Sequence, residues 1–342
     1  MSAFRDEIAE QPGVAERLLK QTDQLSPIGT AIRNHAPVGV LIAARGSSDN
    51  AAVYAKYLLQ YRNRIPVTLA APSLFTHYRT PPRIDRFCVV GISQSGESPD
   101  VAAVLEEGRR QGAITIGITN HADSPLASAA DFLIALGAGA ERSVPASKTY
   151  TASLLAIAIL STAIDPDPAF ESALHDVPGA MTAAIACEEQ AVALSRVALG
   201  SRLAVLGRGF NLATAEELAL KLTETSYVLA RAWSAADFLH GPIAVAENGF
   251  PVLVVESRGP TFNHTRQIAS RLLGNGSPVF QIADGTDELA GARAAIRLQS
   301  GLPESLTPFP LAVAGQLFAY HLALARGVDP DRPRALRKVT RT

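Results

Sequence analysis

Short apolar runs alternate with longer amphipathic stretches along the chain, and this rhythm predicts the fold class. Val38 to Ala43 has the length and continuous apolar character of a buried parallel strand, and Asp49 to Gln60 follows it with helical spacing. Phe87 to Ile92 and Ala113 to Ile118 are further strand-like runs, with a predicted helix over Asp100 to Gln111 between them. This order predicts an α/β fold in which helices cover both faces of a parallel sheet, in three layers.

The same pattern returns in the second half of the chain at a constant offset. Arg45 and Gly46 follow the first strand-like run, and Arg208 and Gly209 follow the run Leu203 to Leu206, 163 residues later. Three further pairs of landmarks keep this offset: the runs Val89 to Ile92 and Val252 to Val255, Gly96 and Gly259, and Leu126 and Leu289. A repeat of this size predicts two similar domains in tandem.

The length of 342 residues suits two domains of about 100–200 residues each. A turn-forming segment, Asp165 to Pro168, marks the expected junction. We expect five parts: an N-terminal helical segment (1–30), a first domain (31–165), a helical linker (166–195), a second domain (196–328) and a tail that closes the site (329–342).

Composition narrows the class of protein. Hydrophobic residues make up 47% and charged residues 18%, which is ordinary for a globular chain. The net charge of −1 and the lack of a basic stripe argue against nucleic-acid binding. The charged segment Met1 to Glu7 does not resemble a secretory signal, and the longest apolar stretch, Ala152 to Ile164, is too short to span a bilayer. We therefore expect a soluble cytoplasmic protein that binds no membrane.

The two cysteines, Cys88 and Cys187, lie far apart in the sequence. We expect both to be buried thiols rather than a disulfide or a metal pair. No group of histidine, cysteine and carboxylate residues has the spacing of metal ligands, so we expect neither a metal nor a cofactor.

The loop after the second strand is rich in polar groups and is followed by a predicted helix. Gly96 allows close approach of the backbone, and Pro99 suits the first position of the helix, whose free N–H groups and dipole favour an anion. Since the loop has no lysine, it predicts a monophosphate held by hydrogen bonds rather than a nucleotide. The residues offered for this role are Ser93, Gln94, Ser95 and Ser98. We also expect Ser98 to cap the helix, but capping alone leaves Ser93 and Ser95 unexplained.

A second polar loop, Arg45 to Asp49, follows the first strand and contains Ser47 and Ser48. Both loops belong at the carboxyl edge of the sheet, so we expect them in one crevice. The second copy has Glu256 to Thr261 in place of the serine loop. This asymmetry favours one composite site per chain.

These loops resemble those of the sugar isomerase (SIS) domain, and two such domains in tandem resemble the isomerase half of glucosamine-6-phosphate synthase. The resemblance covers nearly the whole chain, from about Phe4 to Thr342. It also includes Leu206 to Gly209, Glu217 to Glu224, Leu239 to Pro242 and Asp329 to Thr340.

In its details the chain looks closest to the stand-alone, synthase-like glucosamine-6-phosphate deaminases. The segments that carry this likeness are Arg45 to Asp49, Ser98 to Asp100 and Gly327 to Asp331. The synthase also has a glutaminase domain that begins with a nucleophilic cysteine, whereas this chain begins Met1-Ser2. We therefore expect that it does not release ammonia from glutamine.

The resemblance implies roles for residues of the second half. Isomerising an aldose to a ketose moves a proton between C1 and C2, and Glu224 matches the family's base for this step. Glu224 lies on a predicted helix, Thr214 to Leu229, and shares a face with Glu217 and Lys221. Spacing alone is more typical of a solvated helix face with an ordinary ion pair. With the resemblance, we expect Glu224 to act as the base and Lys221 to contact substrate.

Three further roles also come from the resemblance alone. His240 matches the residue that opens the sugar ring, and in the synthase it reaches the partner subunit's site, which implies a homodimer. Lys338 matches the lysine that forms an imine with the open ketose phosphate, although in deamination it has only to orient the substrate. Ser147 and Lys148 match a segment that contacts sugar or phosphate.

The function predicted is isomerisation and deamination of an amino-sugar phosphate, with glucosamine 6-phosphate giving fructose 6-phosphate and ammonia. Alternatives are another phosphosugar (galactosamine 6-phosphate, a fructosamine phosphate or a plain aldose–ketose pair), an isomerising aminotransferase without its own glutaminase domain, and a non-catalytic phosphosugar sensor. Arg231, where the synthase has glutamate, leaves the identity of the substrate open.

Overall fold

The structure, a computed structural model, describes residues 2–246 and 249–338. These residues form two compact units. The N-terminal unit comprises 13–141, 148–175 and 337–338, and the C-terminal unit comprises 2–12, 142–147, 176–246 and 249–336. Two helices, α1 (Ala3–Leu19) and α8 (Pro168–Ala186), contribute residues to both units.

The N-terminal unit is built on a parallel five-stranded sheet in the order β2-β1-β3-β4-β5. Its strands are β1 (Gly39–Ala43), β2 (Val67–Leu69), β3 (Phe87–Ile92), β4 (Ile114–Thr119) and β5 (Phe132–Ala135). Its helices are α2 (Ser26–His35), α3 (Ser47–Arg62), α4 (Ser73–Thr76), α5 (Pro99–Gln111), α6 (Pro125–Ala129) and α7 (Lys148–Ile164). Every residue of β1 and β4 is buried, which explains why these strands are continuous apolar runs.

The C-terminal unit repeats this sheet in the order β7-β6-β8-β9-β10, again parallel. Its strands are β6 (Arg202–Gly207), β7 (Leu229–Ser234), β8 (Val252–Ser257), β9 (Val279–Asp284) and β10 (Ala294–Leu298). Its helices are α9 (Glu188–Val197), α10 (Asn211–Ser226), α11 (Ala235–Phe238), α12 (Phe262–Gly274) and α13 (Pro308–Ala325).

The register of the strands confirms the duplication. Val40 of β1 lies opposite Cys88 of β3, and Ala204 of β6 lies opposite Val252 of β8. The partners are 48 residues apart in both units, so the same crossover length is preserved. The predicted three-layer α/β fold with two similar sheets is therefore confirmed.

The helix predicted over Thr214 to Leu229 is wrong at its C-terminal end. α10 stops at Ser226, because Tyr227 adopts a left-handed conformation (φ 53°) and closes the last turn with its N–H on the Leu222 carbonyl. Leu229 instead begins β7, the edge strand of its sheet, and is itself exposed. An exposed leucine directly after a helix continues the helical pattern, so the sequence does not reveal the boundary.

The helix α13 also departs from the sequence analysis, which names Ala152 to Ile164 as the longest apolar stretch. By length and composition α13 is apolar enough to cross a membrane, yet 78% of its residues are buried within the protein. A helix that is apolar on all sides is typical of a core element as well as of a membrane span. The burial of α13 is that of a core helix.

Both cysteine thiols are free. Cys88 lies inside β3, where burial raises the pKa of its thiol to about 12. Cys187, between α8 and α9, is only half-buried, so the expectation of a buried thiol is correct for Cys88 alone.

Two helical glycines offer a matched test of the packing. A Cβ on Gly29 of α2 would lie 2.0 Å from the Ala163 carbonyl oxygen of α7, whereas a Cβ on Gly179 of α8 would meet nothing within 4 Å. We expect Gly29→Ala to lower the free energy of unfolding by about 1–3 kcal/mol, because the backbone of α7 must move. Gly179→Ala is expected to raise it by up to about 1 kcal/mol. Urea unfolding measures both; equal effects would contradict the close contact of α2 with α7.

Candidate functional site

The order of the strands in the N-terminal unit creates a crevice at one edge of its sheet. From β1 the chain passes to β2 on one side and then to β3 on the other side of β1. Loops that leave neighbouring strands in opposite directions open a gap at the carboxyl edge, and ligands of open parallel sheets bind there. Two segments lie at this point. One leads from β1 into Ser47 and Ser48 at the start of α3, and the other is the serine loop, Ser93 to Ser98.

Hydrogen bonds within the serine loop fold it into a tight turn. The Ser93 hydroxyl accepts the Gly96 N–H at 3.1 Å, and the Ser95 hydroxyl accepts the Glu97 N–H at 3.2 Å. The hydroxyl oxygens of Ser93 and Ser98 lie 3.4 Å apart. Two of the three hydroxyls therefore sit side by side over the turn.

Gly96 is required for this turn on two grounds. Its φ of +66° lies in the left-handed region, and a Cβ on it would lie 2.1 Å from the Ser124 hydroxyl oxygen. The carbonyl of Gln94 accepts the Asn120 N–H at 3.1 Å, which ties the turn to the loop after β4. The half-exposed Gln94 side chain borders the same turn.

The expectation that Ser98 caps α5 is wrong. Ser98 occupies the N-cap position with extended backbone angles, and Pro99 follows at the first helical position, but the Ser98 hydroxyl makes no capping hydrogen bond within the described structure. A cap would have satisfied one N–H group of the first turn. Without it, the helix N-terminus keeps its capacity to bind an anion.

An ion pair joins the two loops. The guanidinium of Arg45, about half exposed, lies 2.6 Å from a carboxylate oxygen of Asp100, which is buried in the first turn of α5. Burial raises the pKa of Asp49, at the start of α3, and the positive charge of Arg45 opposes that shift. Arg45 thus brings a partly exposed positive charge to the crevice.

Ser47 and Ser48, the other residues predicted to contact substrate in this region, are less exposed than Arg45. Ser47 and Ser48 form the first turn of α3 and are half-buried, and the Ser48 N–H donates to the Arg45 carbonyl at 3.1 Å. A cavity of about 440 Å³ opens on the β4 side of the serine loop and is lined by Ser95, Glu97 and residues 120–124. The serine loop therefore also borders open space on the side that faces the loop after β4, which its own sequence does not indicate.

In the C-terminal unit, α10 carries a buried positive charge between two negative ones. The ammonium group of Lys221 lies 3.5 Å from a Glu217 oxygen and 2.6 Å from a Glu224 oxygen. The side chains of Lys221 and Glu217 are 1% and 2% exposed, whereas that of Glu224 is 22% exposed. A solvated helix face is therefore excluded for Lys221 and Glu217. Glu224 is the member of this group that solvent reaches.

His240 follows α11 and precedes a 3-10 turn, Pro242–Val245. The His240 side chain is exposed, and the His240 backbone N–H donates to the Asp237 carbonyl at 3.0 Å. None of the residues that the structure describes forms a hydrogen bond or an ion pair with its imidazole. The structure does not join His240 to the other candidates.

The C-terminal tail is anchored at several points. Asp331 accepts the N–H groups of Ala3 and Phe4 at 3.0 and 2.8 Å and so caps α1. The Arg334 guanidinium lies 3.8 Å from the centre of the Tyr227 ring. The sequence gives no sign of these contacts, because they join residues that are distant in the chain.

Lys338 ends the described tail in an ion pair. Its ammonium group lies 2.6 Å from a carboxylate oxygen of Glu141, whose side chain is fully buried. Glu141 also accepts the Thr149 N–H at 3.0 Å and the Thr149 hydroxyl at 2.7 Å, at the start of α7. Glu141 was missed by the sequence analysis, since a single glutamate in a loop rich in glycine and alanine shows no periodicity.

Ser147 and Lys148 lie directly before Thr149, and both side chains are buried, with 0% and 2% exposure. Arg231 lies on the edge strand β7 with its guanidinium 5.0 Å from the centre of the Trp233 ring. In the described residues, no three histidine, cysteine or acidic side chains converge as metal ligands would.

Comparison with known proteins supports the repeat. A model of the SIS domain matches residues 37–163 and again residues 200–326. The glutamine–fructose-6-phosphate aminotransferase (isomerizing) of Pyrococcus horikoshii is 30% identical over 344 residues, which cover 98% of this chain and 54% of that protein. The chain spans about half the length of the curated relatives it matches.

Two solved structures share the fold over almost the whole chain. A Silicibacter pomeroyi protein, provisionally described as a phosphosugar isomerase, is 34% identical with a TM-score of 0.88 and covers 97% of this chain and 100% of its own. The C-terminal domain of glucosamine-fructose-6-phosphate aminotransferase from Francisella tularensis is 24% identical with a TM-score of 0.89, and the match covers 97% of this chain and 98% of that domain.

The Glu141 ion pair predicts how the tail is held. In Glu141→Gln the Thr149 contacts have a partner of the same shape, but Lys338 loses its counter-charge. We expect trypsin to cut after Lys338 about tenfold faster, because a loss of about 1.4 kcal/mol in docking changes the undocked fraction tenfold. Cleavage is followed by mass spectrometry.

The matched control is Glu288→Gln, since the Glu288 side chain is 73% exposed and lies 3.5 Å from Arg297. This control is expected to leave cleavage unchanged, as surface ion pairs contribute little. Equal cleavage in the wild type and Glu141→Gln would show that Glu141 does not hold the tail.

Proposed function

Because the chain belongs to the family of SIS-domain proteins, we propose that it is an enzyme that isomerises a phosphosugar. The proposed reaction converts glucosamine 6-phosphate and water to fructose 6-phosphate and ammonia, by isomerisation followed by hydrolysis of the C2 imine. The phosphate binds at the serine loop, and the proton transfers involve Glu224 and His240.

The observation that carries this proposal is the uncapped serine loop at the switch point of the N-terminal sheet. Its hydroxyls lie at the start of α5, where the Ser98 hydroxyl makes no capping bond, and Arg45 adds a partly exposed positive charge. Hydroxyl donors with a helix N-terminus bind a phosphate ester well. A loop that existed only to begin a helix would be expected to use its serine as the cap.

The group on α10 suits proton transfer between C1 and C2. Lys221 is held between two carboxylates, and its ammonium group fixes the position of the Glu224 carboxylate at 2.6 Å. Partial exposure leaves Glu224 accessible to a bound sugar. In the proposal, Glu224 moves the proton and His240 opens the ring, as their family counterparts do.

Lys338 is assigned to the carbonyl end of the reaction. The pair with Glu141 places its ammonium group beside the start of α7. This helix begins at Lys148, directly after Ser147. While the Lys338 nitrogen is held by the Glu141 carboxylate, it is not positioned to attack a carbonyl carbon. Imine formation therefore requires that the pair open, whereas orientation of the substrate does not.

The amination direction is the second candidate. The curated relatives are named as aminotransferases, and a catalyst accelerates both directions of a reaction by the same factor. The same residues would therefore add ammonia to fructose 6-phosphate when ammonia is abundant. Free ammonia supplied in the assay tests this direction without a glutaminase.

The first experiment incubates the purified chain with glucosamine 6-phosphate and follows ammonia and fructose 6-phosphate together. We expect equal release of both. Glu224→Gln is expected to lower kcat on the order of 10³-fold, because a positioned base contributes about 10²–10⁴-fold. Calorimetry should show that it still binds glucosamine 6-phosphate with an affinity close to that of the wild type.

The control for that variant is Glu189→Gln, an exposed carboxylate on α9 that should leave turnover unchanged. Near-normal activity in Glu224→Gln would remove Glu224 as the base. Tight binding of glucosamine 6-phosphate without turnover in either direction would favour another amino sugar or a phosphosugar sensor.

We also propose that the chain works as a homodimer in which His240 serves the neighbouring subunit's site. The exposed imidazole without a partner among the described residues supports this. Mixing inactive Glu224→Gln and His240→Ala subunits tests it, because hybrid dimers hold one intact site each. Random exchange should restore about a quarter of wild-type activity, since half of the dimers are hybrids. No restoration, with exchange of subunits verified, would place His240 in its own subunit's site.

A further inference from the structure

The sheet of the C-terminal unit has a switch point of its own. Its strand order places the reversal between β6 and β8, so the loops after these strands lie at an equivalent crevice. Arg208 and Gly209 follow β6, and Arg258 to Thr261 follow β8 and lead into α12. By its position this second loop is the counterpart of the serine loop.

A carboxylate from another part of the chain lies against this loop. An oxygen of Glu304, in the 3-10 turn Glu304–Leu306, accepts the Thr261 hydroxyl at 2.5 Å, and the Thr261 N–H also donates to the carboxylate. Thr261 is the N-cap residue of α12, a 13-residue helix, and its hydroxyl makes no capping bond to the described part of that helix. Glu304 therefore supplies an anion where a helix N-terminus favours one.

The glycines of both loops shape the space that Glu304 fills. A Cβ on Gly259 would lie 2.0 Å from one carboxylate oxygen of Glu304, and a Cβ on Gly209 would lie 3.4 Å from the other. The carboxylate thus occupies the space that a side chain on Gly259 would need, and it lies at the edge of the space beside Gly209. Burial raises the pKa of Glu304, and the two donors from Thr261 oppose that shift.

The other charges of this crevice are also engaged within the protein. A guanidinium nitrogen of Arg208 lies 2.9 Å from the His264 ring, and Arg258 pairs with Asp287 at 2.8 Å. Glu256, which occupies the position of Ser93 in the serine loop, is 2% exposed and forms a 2.7 Å pair with Arg266. A carboxylate replaces a neutral hydroxyl there, and the guanidinium of Arg266 balances its charge.

The N-terminal unit has a glutamate at the corresponding position. Glu141 lies six residues after the end of β5, as Glu304 lies six residues after the end of β10. Glu141 accepts hydrogen bonds from Thr149 and Lys338. The two glutamates at equivalent positions therefore have different partners: Glu141 contacts Thr149 and Lys338, whereas Glu304 contacts Thr261.

We propose that Glu304 is an internal ligand that closes a second phosphate cradle, formed by Gly209 and the loop Arg258 to Thr261. Its removal opens this cradle to inorganic phosphate or to a phosphate monoester. The inference rests on the proposed phosphate role of the serine loop, and it explains physically why one chain binds one phosphorylated ligand.

The test counts bound phosphate per chain by equilibrium dialysis with radiolabelled inorganic phosphate. The wild type is expected to bind one equivalent at the serine loop, and Glu304→Ala is expected to bind two. The double variant Glu304→Ala/Ser95→Ala should weaken the first site and keep the second. Glu288→Ala, which removes an exposed carboxylate, should leave the count at one.

A folded Glu304→Ala protein that gains no equivalent of phosphate would overturn the proposal. If that variant does not fold, Glu304→Ser decides the question, because it also vacates the cradle while keeping a polar group: a gained equivalent supports the proposal, and an unchanged count refutes it. A wild type without bound phosphate would count against the serine loop, whereas an equivalent gained only in the Glu304 variants would still support the second cradle.

Discussion

In each parallel sheet, successive crossovers lead first to one side of a strand and then to its other side, and the rest of this structure depends on this reversal of strand order. Parallel strands require crossovers, and a sheet whose crossovers lead to both sides of one strand leaves a gap at that strand's carboxyl edge. Backbone N–H groups at the starts of the following helices face this edge. Each unit thus has a place suited to an anion before any side chain is considered.

What fills that place distinguishes the two copies. The N-terminal loop offers serine hydroxyls and an uncapped helix, with Arg45 fixed nearby by its pair with the buried Asp100. The C-terminal loop has Glu304 against Gly259 and a buried Glu256. A scaffold whose strands at the switch point keep the same spacing in both units therefore carries one open loop and one occupied loop.

Two groups of buried charges in the described part of the chain hold opposite charges in contact. Lys221 lies between Glu217 and Glu224, and Lys338 meets the buried Glu141. An isolated buried charge would cost several kcal/mol, so each of these groups depends on its partners remaining in place. Such groups have a defined geometry, which is what proton transfer and orientation of a sugar require.

The sequence by itself determined the fold class, the duplication and the position of the serine loop. Buried strands such as β1 and β4 are continuous apolar runs, and the landmarks Gly96 and Gly259 are local features of turns. Local pattern also predicted the helix that carries Lys221 and Glu224, although not its end at Ser226.

Only the tertiary structure decided which groups meet. The contacts of Glu141 with Lys338 and of Glu304 with Thr261 join residues that are distant in the chain, and no periodicity marks them. The lack of a capping bond from the Ser98 hydroxyl and the burial of Lys221 likewise depend on surrounding atoms rather than on neighbouring residues in the sequence. The physical reason is that spacing reports the face on which a side chain lies, whereas charge, hydrogen bonding and exposure depend on what is packed against that face.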